Sequence, residues 1–183
     1  MHELADVYEY LRWRKRFPVV WCTGCGIGTI MGSIVRAVME LGISKDDVAL
    51  ISGIGCSSRM PVYLDFNTLH TTHGRALPFA TGIKLTRPEM KVIVVSGDGD
   101  ALAIGGNHFI HAARRNIGIT MILVNNSIYG MTGGQVAPTT PKGAIAHTMP
   151  YGNIDPAFNP MKLAVAAGAS FAARSTTYAV MKT

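Results

Sequence analysis

Three groups of side chains in this 183-residue sequence are spaced so that their chemistry could be used together. The first centres on Asp98, set between Gly97 and Gly99 just after the β-branched run Val92 to Val95. A Gly-Asp-Gly ending a parallel strand puts a carboxylate at the sheet's carboxyl edge, where α/β folds bind ligands. The glycines let a diphosphate approach the backbone, and the N-terminus of the following helix favours its negative charge. Alone, the tripeptide also makes ordinary turns. It gains meaning from Asn125-Asn126, which closes the next apolar run, 28 positions from Asp98 to Asn126. Asp98, the Asn126 amide oxygen and a carbonyl just beyond are hard donors that suit magnesium holding a diphosphate. The second group is the thiols: Cys22 and Cys25 form a Cys-x-x-Cys, and Cys56 lies 31 residues beyond Cys25. Without a secretory signal, three thiols point to metal or redox work rather than disulfides. The stretch Trp21 to Cys25 also describes a thioredoxin-like site, though Cys56 and the chain length weigh against that. Zinc held by the three cysteines with His70 or His73 is a further reading. Third come His73 and Arg59. His73 reads either as a hydrogen-bonded core histidine or as a group at the site. Arg59, following Cys56-Ser57-Ser58, is either a surface residue or a planar fork for a carboxylate.

The elements that must position these groups follow from hydrophobic period. Ile27, Ile30, Met31, Ile34, Val35, Val38 and Leu41 recur at three and four residues and predict a helix ended by Gly42. Val48 to Ile51 predicts a buried strand entering Gly53-Ile54-Gly55-Cys56. Val92 to Val95 and Ile119 to Val124 predict two more, with helical character from Ala101 to Arg115 between them, weakened at Gly105-Gly106. Asp6 to Trp13 and Pro160 to Ala167 read as helices, and Val19 to Trp21 and Ala169 to Ala173 as short strands. Strands apolar on both faces, alternating with helices, predict an α/β fold with a doubly wound, mostly parallel sheet.

The segment GDGDALAIGGNHFIHAARRNIGITMILVNN, with 25 residues between its Gly-Asp-Gly and its Asn-Asn, resembles the thiamine-diphosphate motif. The continuation Ser127 to Gln135 with Pro138-Thr139-Thr140, and Thr72 to Ala76 followed by Ala80 to Lys84, is similar to the β subunit of 2-oxoacid:ferredoxin oxidoreductases. The resemblance runs from about Trp21 to Thr177. It implies the thiamine-diphosphate-binding fold of the pyrophosphate-domain type, and oxidative decarboxylation of a 2-oxoacid with CoA to acyl-CoA and CO2, ferredoxin being reduced. Asp98, Asn126 and the Ile128 carbonyl are then expected to hold magnesium. Gly97, Gly99 and Asp100, with Gly130, Met131 and Thr132, are expected to cradle the diphosphate. Gly55, Ser57, His73 and Gly74 are expected beside the cofactor, with Arg59 facing the substrate. The resemblance gives Cys22, Cys25 and Cys56 to a [4Fe–4S] cluster. Such a cluster takes electrons singly, as ferredoxin does. Thr23 stands where the family commonly has proline. No cysteine follows Cys56, so the fourth ligand is expected beyond Thr183, in a chain that looks truncated at its C-terminus. The stretch Tyr129 to Gln135 is most similar to members using 2-oxoglutarate, with pyruvate and branched-chain 2-oxoacids left open. Glu3, Glu9, Glu40 and Glu89 are the only glutamates, and none lies in a plausible cofactor loop. The family's activating glutamate comes from the α subunit, so that partner is expected to be obligatory, with γ and δ subunits and ferredoxin as further partners.

Composition sets the outer bounds. Apolar residues make up 48% and charged residues 15%, which excludes a disordered chain. No apolar run approaches the roughly 20 residues a membrane helix needs. The N-terminal stretch mixes acids and bases and reads as neither a signal nor a transit peptide, so a cytoplasmic place is expected. The net charge is +6, and the bases are densest at Arg12, Arg14, Lys15 and Arg16. No nucleic-acid motif accompanies it, so a solvated or subunit-contacting face is the reading. With 10 Met and 20 Gly, much surface is expected to be buried against other subunits. Residues 1–183 read as one incomplete domain, with 1–21 as an extension leading into Cys22. The rivals are a thiamine enzyme without a cluster and a noncatalytic zinc-binding scaffold subunit. A dinucleotide-binding fold is disfavoured, since Gly24 to Gly28 only mimics a GxGxxG.

Overall fold

The computed structural model describes residues 7–12 and 18–180. Four parallel strands, β1 (Val48–Ser52), β2 (Asn67–His70), β3 (Lys91–Gly97) and β4 (Thr120–Val124), form one sheet in the order β2-β1-β3-β4. A two-stranded antiparallel ribbon, β5 (Ile128–Tyr129) and β6 (Gln135–Val136), follows β4. The helices are α1 (Ile27–Glu40), α2 (Ala76–Thr86), α3 (Gly106–Arg115) and α4 (Pro160–Ala166). The expected doubly wound, mostly parallel α/β architecture is what forms.

The period-2 alternation of β1 divides the core. Val48 and Leu50 point to the layer with Ile27, Met31, Ile34, Val35 and Val38 of α1. Ala49 and Ile51 point to the opposite layer, with Leu77 and Ala80 of α2 and Phe109 of α3. Val95 and Val94 of β3 divide the same way. Leu50 and Ile51 are fully buried, and each such side chain contributes about 1.5–3 kcal/mol of burial. The helix before Gly42 ends as expected. Gly42 takes φ 62° and donates its N–H to Met39 at 3.0 Å, a left-handed stop that favours glycine.

Several elements differ from the sequence expectation. β2 was not anticipated, because Asn67-Thr68-Leu69-His70 is an edge strand without an apolar run. Neither Val19 to Trp21 nor Ala169 to Ala173 joins a sheet. Val20 N–H donates to the Tyr63 hydroxyl and the Trp21 indole to the Cys56 carbonyl, so that segment spends its donors on loops. Gly168, at φ 96°, closes α4, and the Ser170 hydroxyl then donates to Asn116. The helix expected from Ala101 to Arg115 is split into a π-helical segment, Gly99–Ile104, and α3, with Gly105 between. The ends of the expected Asp6 to Trp13 helix lie outside the described residues, as do Arg14, Lys15 and Arg16. Within that segment, one turn over residues 7–10 gives way to chain lying antiparallel to Tyr63–Asp65. Arg12 donates to the Phe66 carbonyl at 3.1 Å and the Thr68 hydroxyl at 2.8 Å. Among the described residues no helix is long and apolar enough to cross a membrane.

Candidate cofactor site at the strand switch

β1 and β3 are neighbours, yet the chain leaves β1 toward β2 and leaves β3 toward β4. Their C-terminal loops therefore diverge and open a crevice at the switch point, the usual ligand place in such sheets. The loop after β1 brings Gly53, Gly55, Cys56 and Ser57 there, and the loop after β3 brings Gly97 to Asp100. Ser57 is buried, and a Cβ at Gly97 would stand 3.4 Å from its hydroxyl. Gly55 has φ 118° with open space around it.

Asp98 is 1% exposed. Burial pushes its carboxyl above the ordinary range, against the Thr139 hydroxyl and the Gly99 and Ser127 N–H groups, which favour the ionised form. The Thr139 hydroxyl donates directly to its Oδ2. Asn126 is exposed just past β4, its Oδ1 accepting the Ile128 N–H at 3.3 Å. Ser127 takes φ 61°, unusual for a residue with a side chain, and its carbonyl accepts the Thr140 hydroxyl at 2.6 Å. A buried carboxylate next to glycine-rich backbone, with an exposed amide oxygen nearby, fits a magnesium-bound diphosphate by its donor chemistry. Asp98, Asn126 and Ile128 could hold that ion.

The Tyr129 ring covers this loop from the other side. Its hydroxyl donates to the Gly99 carbonyl at 2.9 Å, and a Cβ at Gly99 would collide with the ring at 2.4 Å. Burial, then the charges of Asp98 and Asp100, push the phenol up. Thr139, Thr140 and Asn153 are buried supports that the sequence reading left unassigned. Asn153 donates to the Thr140 carbonyl at 2.9 Å. Pro138-Thr139-Thr140 stood in the matched motif, which was the available signal for the threonines; nothing local marked Asn153.

Asp100 behaves differently from Asp98. Its Oδ1 accepts the Gly74 N–H at 2.8 Å and the Ile54 N–H at 3.2 Å, and its Oδ2 accepts the Ser96 hydroxyl. His73 Nδ1 lies 2.6 Å from Oδ1. Asp100 thus ties together the loops after β1, β2 and β3. His73 also meets the Tyr129 ring edge-on, with centroids 6.1 Å apart.

The three cysteines gather at the same end. Cys25 N–H donates to the Cys22 carbonyl at 3.1 Å, closing the Cys-x-x-Cys turn. Burial pushes the Cys56 thiol up; the Met131 N–H works against this, and the nearby Cys22 and Cys25 add to the rise. A Cβ at Gly130 would stand 3.4 Å from Cys56 Sγ. Among the described residues no three His, Cys, Asp or Glu side chains are grouped to hold one metal ion. Neither His70 nor His73 is grouped with the cysteines in that way; His70 Nδ1 pairs with Ser52 at 3.0 Å, and His73 Nδ1 lies beside Asp100. An iron–sulfur cube holds its thiolates farther apart than a single ion does, and three soft donors around Cys56 fit it in kind. Arg59 is exposed on the turn that follows Cys56.

Several known proteins are similar to this chain over most of its length. A 2-oxoglutarate synthase subunit KorB of Archaeoglobus fulgidus is 59% identical over 95% of this chain and 64% of its own length. A KorB subunit of 2-oxoglutarate oxidoreductase from Mycobacterium tuberculosis is 50% identical over 86% of this chain and 42% of its own. The solved 2-oxoglutarate:ferredoxin oxidoreductase of Magnetococcus marinus, with 2-oxoglutarate, coenzyme A and succinyl-CoA bound, superposes with a TM-score of 0.86. It is 43% identical and covers 92% of this chain and 57% of that one. The chain spans less than two thirds of these relatives' lengths. The profile described as thiamine pyrophosphate enzyme, C-terminal TPP binding domain, matches residues 53–183. That is well over half of the sequence, and the chain belongs to the thiamine pyrophosphate enzymes.

Proposed function

We propose that this chain is the cofactor-binding portion of the β subunit of a 2-oxoglutarate:ferredoxin oxidoreductase. The reaction is 2-oxoglutarate and CoA, with two oxidised ferredoxins, giving succinyl-CoA, CO2, a proton and two reduced ferredoxins. The observation that carries the reading is the meeting of two sites in one loop. Gly130 and Met131, just past the Asp98–Asn126 donors, lie against the sulfur of Cys56. The likeness to the KorB subunits supports it and favours 2-oxoglutarate over pyruvate or a branched-chain acid.

When bound, thiamine diphosphate supplies the carbon nucleophile and electron sink for decarboxylation, and a [4Fe–4S] cluster supplies the one-electron carrier toward ferredoxin. The chain's own residues bind and orient. Asp98, Asn126 and the Ile128 carbonyl hold magnesium, and Thr139 keeps the Asp98 carboxylate aimed. Backbone groups of Gly97, Gly99 and Gly130 to Thr132 face the diphosphate, and Gly55, Ser57 and Gly74 border it. Cys22, Cys25 and Cys56 ligate the cluster, whose fourth ligand is none of this chain's three cysteines. Arg59 pairs with a carboxylate of the substrate. A partner α subunit brings the glutamate that activates the cofactor, and ferredoxin docks on the assembled complex.

The test is anaerobic ferredoxin reduction by the chain co-purified with its native partners. Reduction is expected to need 2-oxoglutarate, CoA, magnesium and thiamine diphosphate together. Faster reduction with pyruvate would move the substrate assignment. A complex that purifies with neither thiamine diphosphate nor iron and sulfide would overturn the reading.

A further inference from the structure

The turn over residues 137–140 carries the inference, because the hydroxyls of Thr139 and Thr140 reach both ends of the candidate ion site. Thr140 N–H donates to the Ala137 carbonyl at 3.0 Å, and the Ala137 N–H donates back to the Thr140 hydroxyl at 2.8 Å. From this turn the Thr139 hydroxyl donates to Asp98 Oδ2, and the Thr140 hydroxyl donates to the Ser127 carbonyl at 2.6 Å. The turn is itself held from behind. The Pro138 carbonyl accepts the Phe158 N–H at 2.7 Å, and the Thr140 carbonyl accepts the Asn153 amide at 2.9 Å. Thr139, Thr140 and Asn153 are all buried, so these bonds meet little competition from water. Ser127 is where the bond matters. It stands between Asn126 and Ile128 at φ 61°, a backbone conformation that a residue with a Cβ rarely holds unaided. Its N–H faces the Asp98 carboxyl and its carbonyl faces Thr140, so the peptide planes on both sides of it are fixed.

We infer that Thr140, held by Asn153, is a positioning residue for the magnesium site. Its hydroxyl keeps Ser127 in the left-handed conformation and so sets Asn126 and the Ile128 carbonyl against Asp98. Thr139 and Thr140 then act as one clip. One hydroxyl holds the donor that follows β3, and the other holds the donors that follow β4. The inference rests on the proposed function for the identity of the ion and its diphosphate, and not for the conformation of Ser127.

Two measurements test it. In the full chain labelled with carbon-13 serine, the Ser127 resonances, identified by their loss in Ser127→Gly, are expected to report the left-handed conformation. In Thr140→Val, which keeps the side chain's shape without its hydroxyl, they are expected to move toward extended-chain values. In the chain co-purified with its native partners, titration calorimetry reads magnesium binding with thiamine diphosphate present. Thr140→Val should weaken that binding by about 10-fold, and Thr140→Ser, which keeps the hydroxyl, by less than about threefold. Adding Ser127→Gly to Thr140→Val should recover at least about threefold, because glycine holds a positive φ without help. A merely structural threonine would give no such recovery. Ser127 resonances of extended chain in the unmodified protein overturn the inference, and they do so even where Thr140→Val fails to fold. Unchanged magnesium affinity in Thr140→Val overturns it as well, as does a loss that Ser127→Gly does not relieve. An unmodified complex that binds neither magnesium nor thiamine diphosphate would instead remove the proposed function, and the Ser127 resonances would still decide what Thr140 holds.

Discussion

Asp98 and Thr139 form a pair in which burial and function pull in opposite directions. The carboxyl is buried deeply enough that its pKa rises despite the Thr139 hydroxyl and the backbone N–H groups around it, so the folded state favours the protonated acid more than the unfolded chain does. A group of that kind contributes stability below its unfolded pKa and loses it as pH climbs through the folded one. The ionised form is therefore costly in the folded chain, and a magnesium ion would offset that cost. Asp98→Asn should accordingly raise the melting temperature of the cofactor-free chain by roughly 2–4 °C per kcal/mol relieved. The same variant should lose the thermal protection given by magnesium and thiamine diphosphate together. Melting curves with and without both ligands check this, and an unchanged protection would remove Asp98 from the ion's coordination. Thr139→Val should act the other way in the free chain. It strips a donor from a buried charge and is expected to destabilise by about 1–3 kcal/mol.

At the scale of elements, the junction between β3 and α3 decides whether the residues meet. Gly105 ends the π-helical segment by donating to the Asp100 carbonyl at 2.9 Å, and its bare Cα lets the Gly74 loop close against it. Gly105→Ala would drive a methyl group into the Asp100 and Gly74 carbonyls, at 2.7 and 3.1 Å. The expected cost is about 1–3 kcal/mol, the usual range for an overpacked site. Weaker thiamine diphosphate binding should accompany it, because the Asp100 segment and the Gly74 loop meet at Gly105; thermal unfolding and calorimetric titration of the variant give the two numbers. Part of this junction was legible in the sequence. The continuous apolar runs of β1, β3 and β4 announced buried parallel strands, and Gly-Asp-Gly with Asn-Asn announced the edge they share. The π-helical segment was not legible, because hydrophobic period cannot tell a widened turn from an ordinary one when glycines sit inside it. β2 was hidden for a different reason: an edge strand needs no apolar face, and its polar sequence carries no period. Motif position puts Asp100 beside the diphosphate, but the contacts of its carboxylate with Ile54, His73, Gly74 and Ser96 could not be read there. Contacts across such sequence distances leave no local signal.

For the whole molecule, the distribution of acids and of apolar surface argues for a partner. Tyr151, Phe171 and Tyr178 are exposed almost entirely, and Ile145, Ile154 and Phe158 lie exposed along the segment after β6. Large apolar side chains exposed in such number along one stretch of chain are what a surface that meets other protein would show. The glutamates tell the same story. Glu89 pairs with Arg87 at the surface at 2.5 Å, and Glu9 and Glu40 are exposed away from the β1–β3 crevice. Among the described residues, then, no glutamate faces the place where the cofactor's aminopyrimidine would need one. Binding and activation should therefore separate cleanly. This chain alone is expected to bind magnesium and thiamine diphosphate yet leave the exchange of the cofactor's C2 hydrogen with deuterated water near its rate in buffer. Adding the partner subunit should speed that exchange by roughly 10²–10⁴-fold, the range for a well-placed acid or base. Replacing the glutamate proposed for the partner by glutamine should abolish the gain while leaving the complex assembled. Proton NMR of the C2 hydrogen reads the exchange directly, and fast exchange in the isolated chain would mean that activation comes from a group within it, with His73 the first residue to replace.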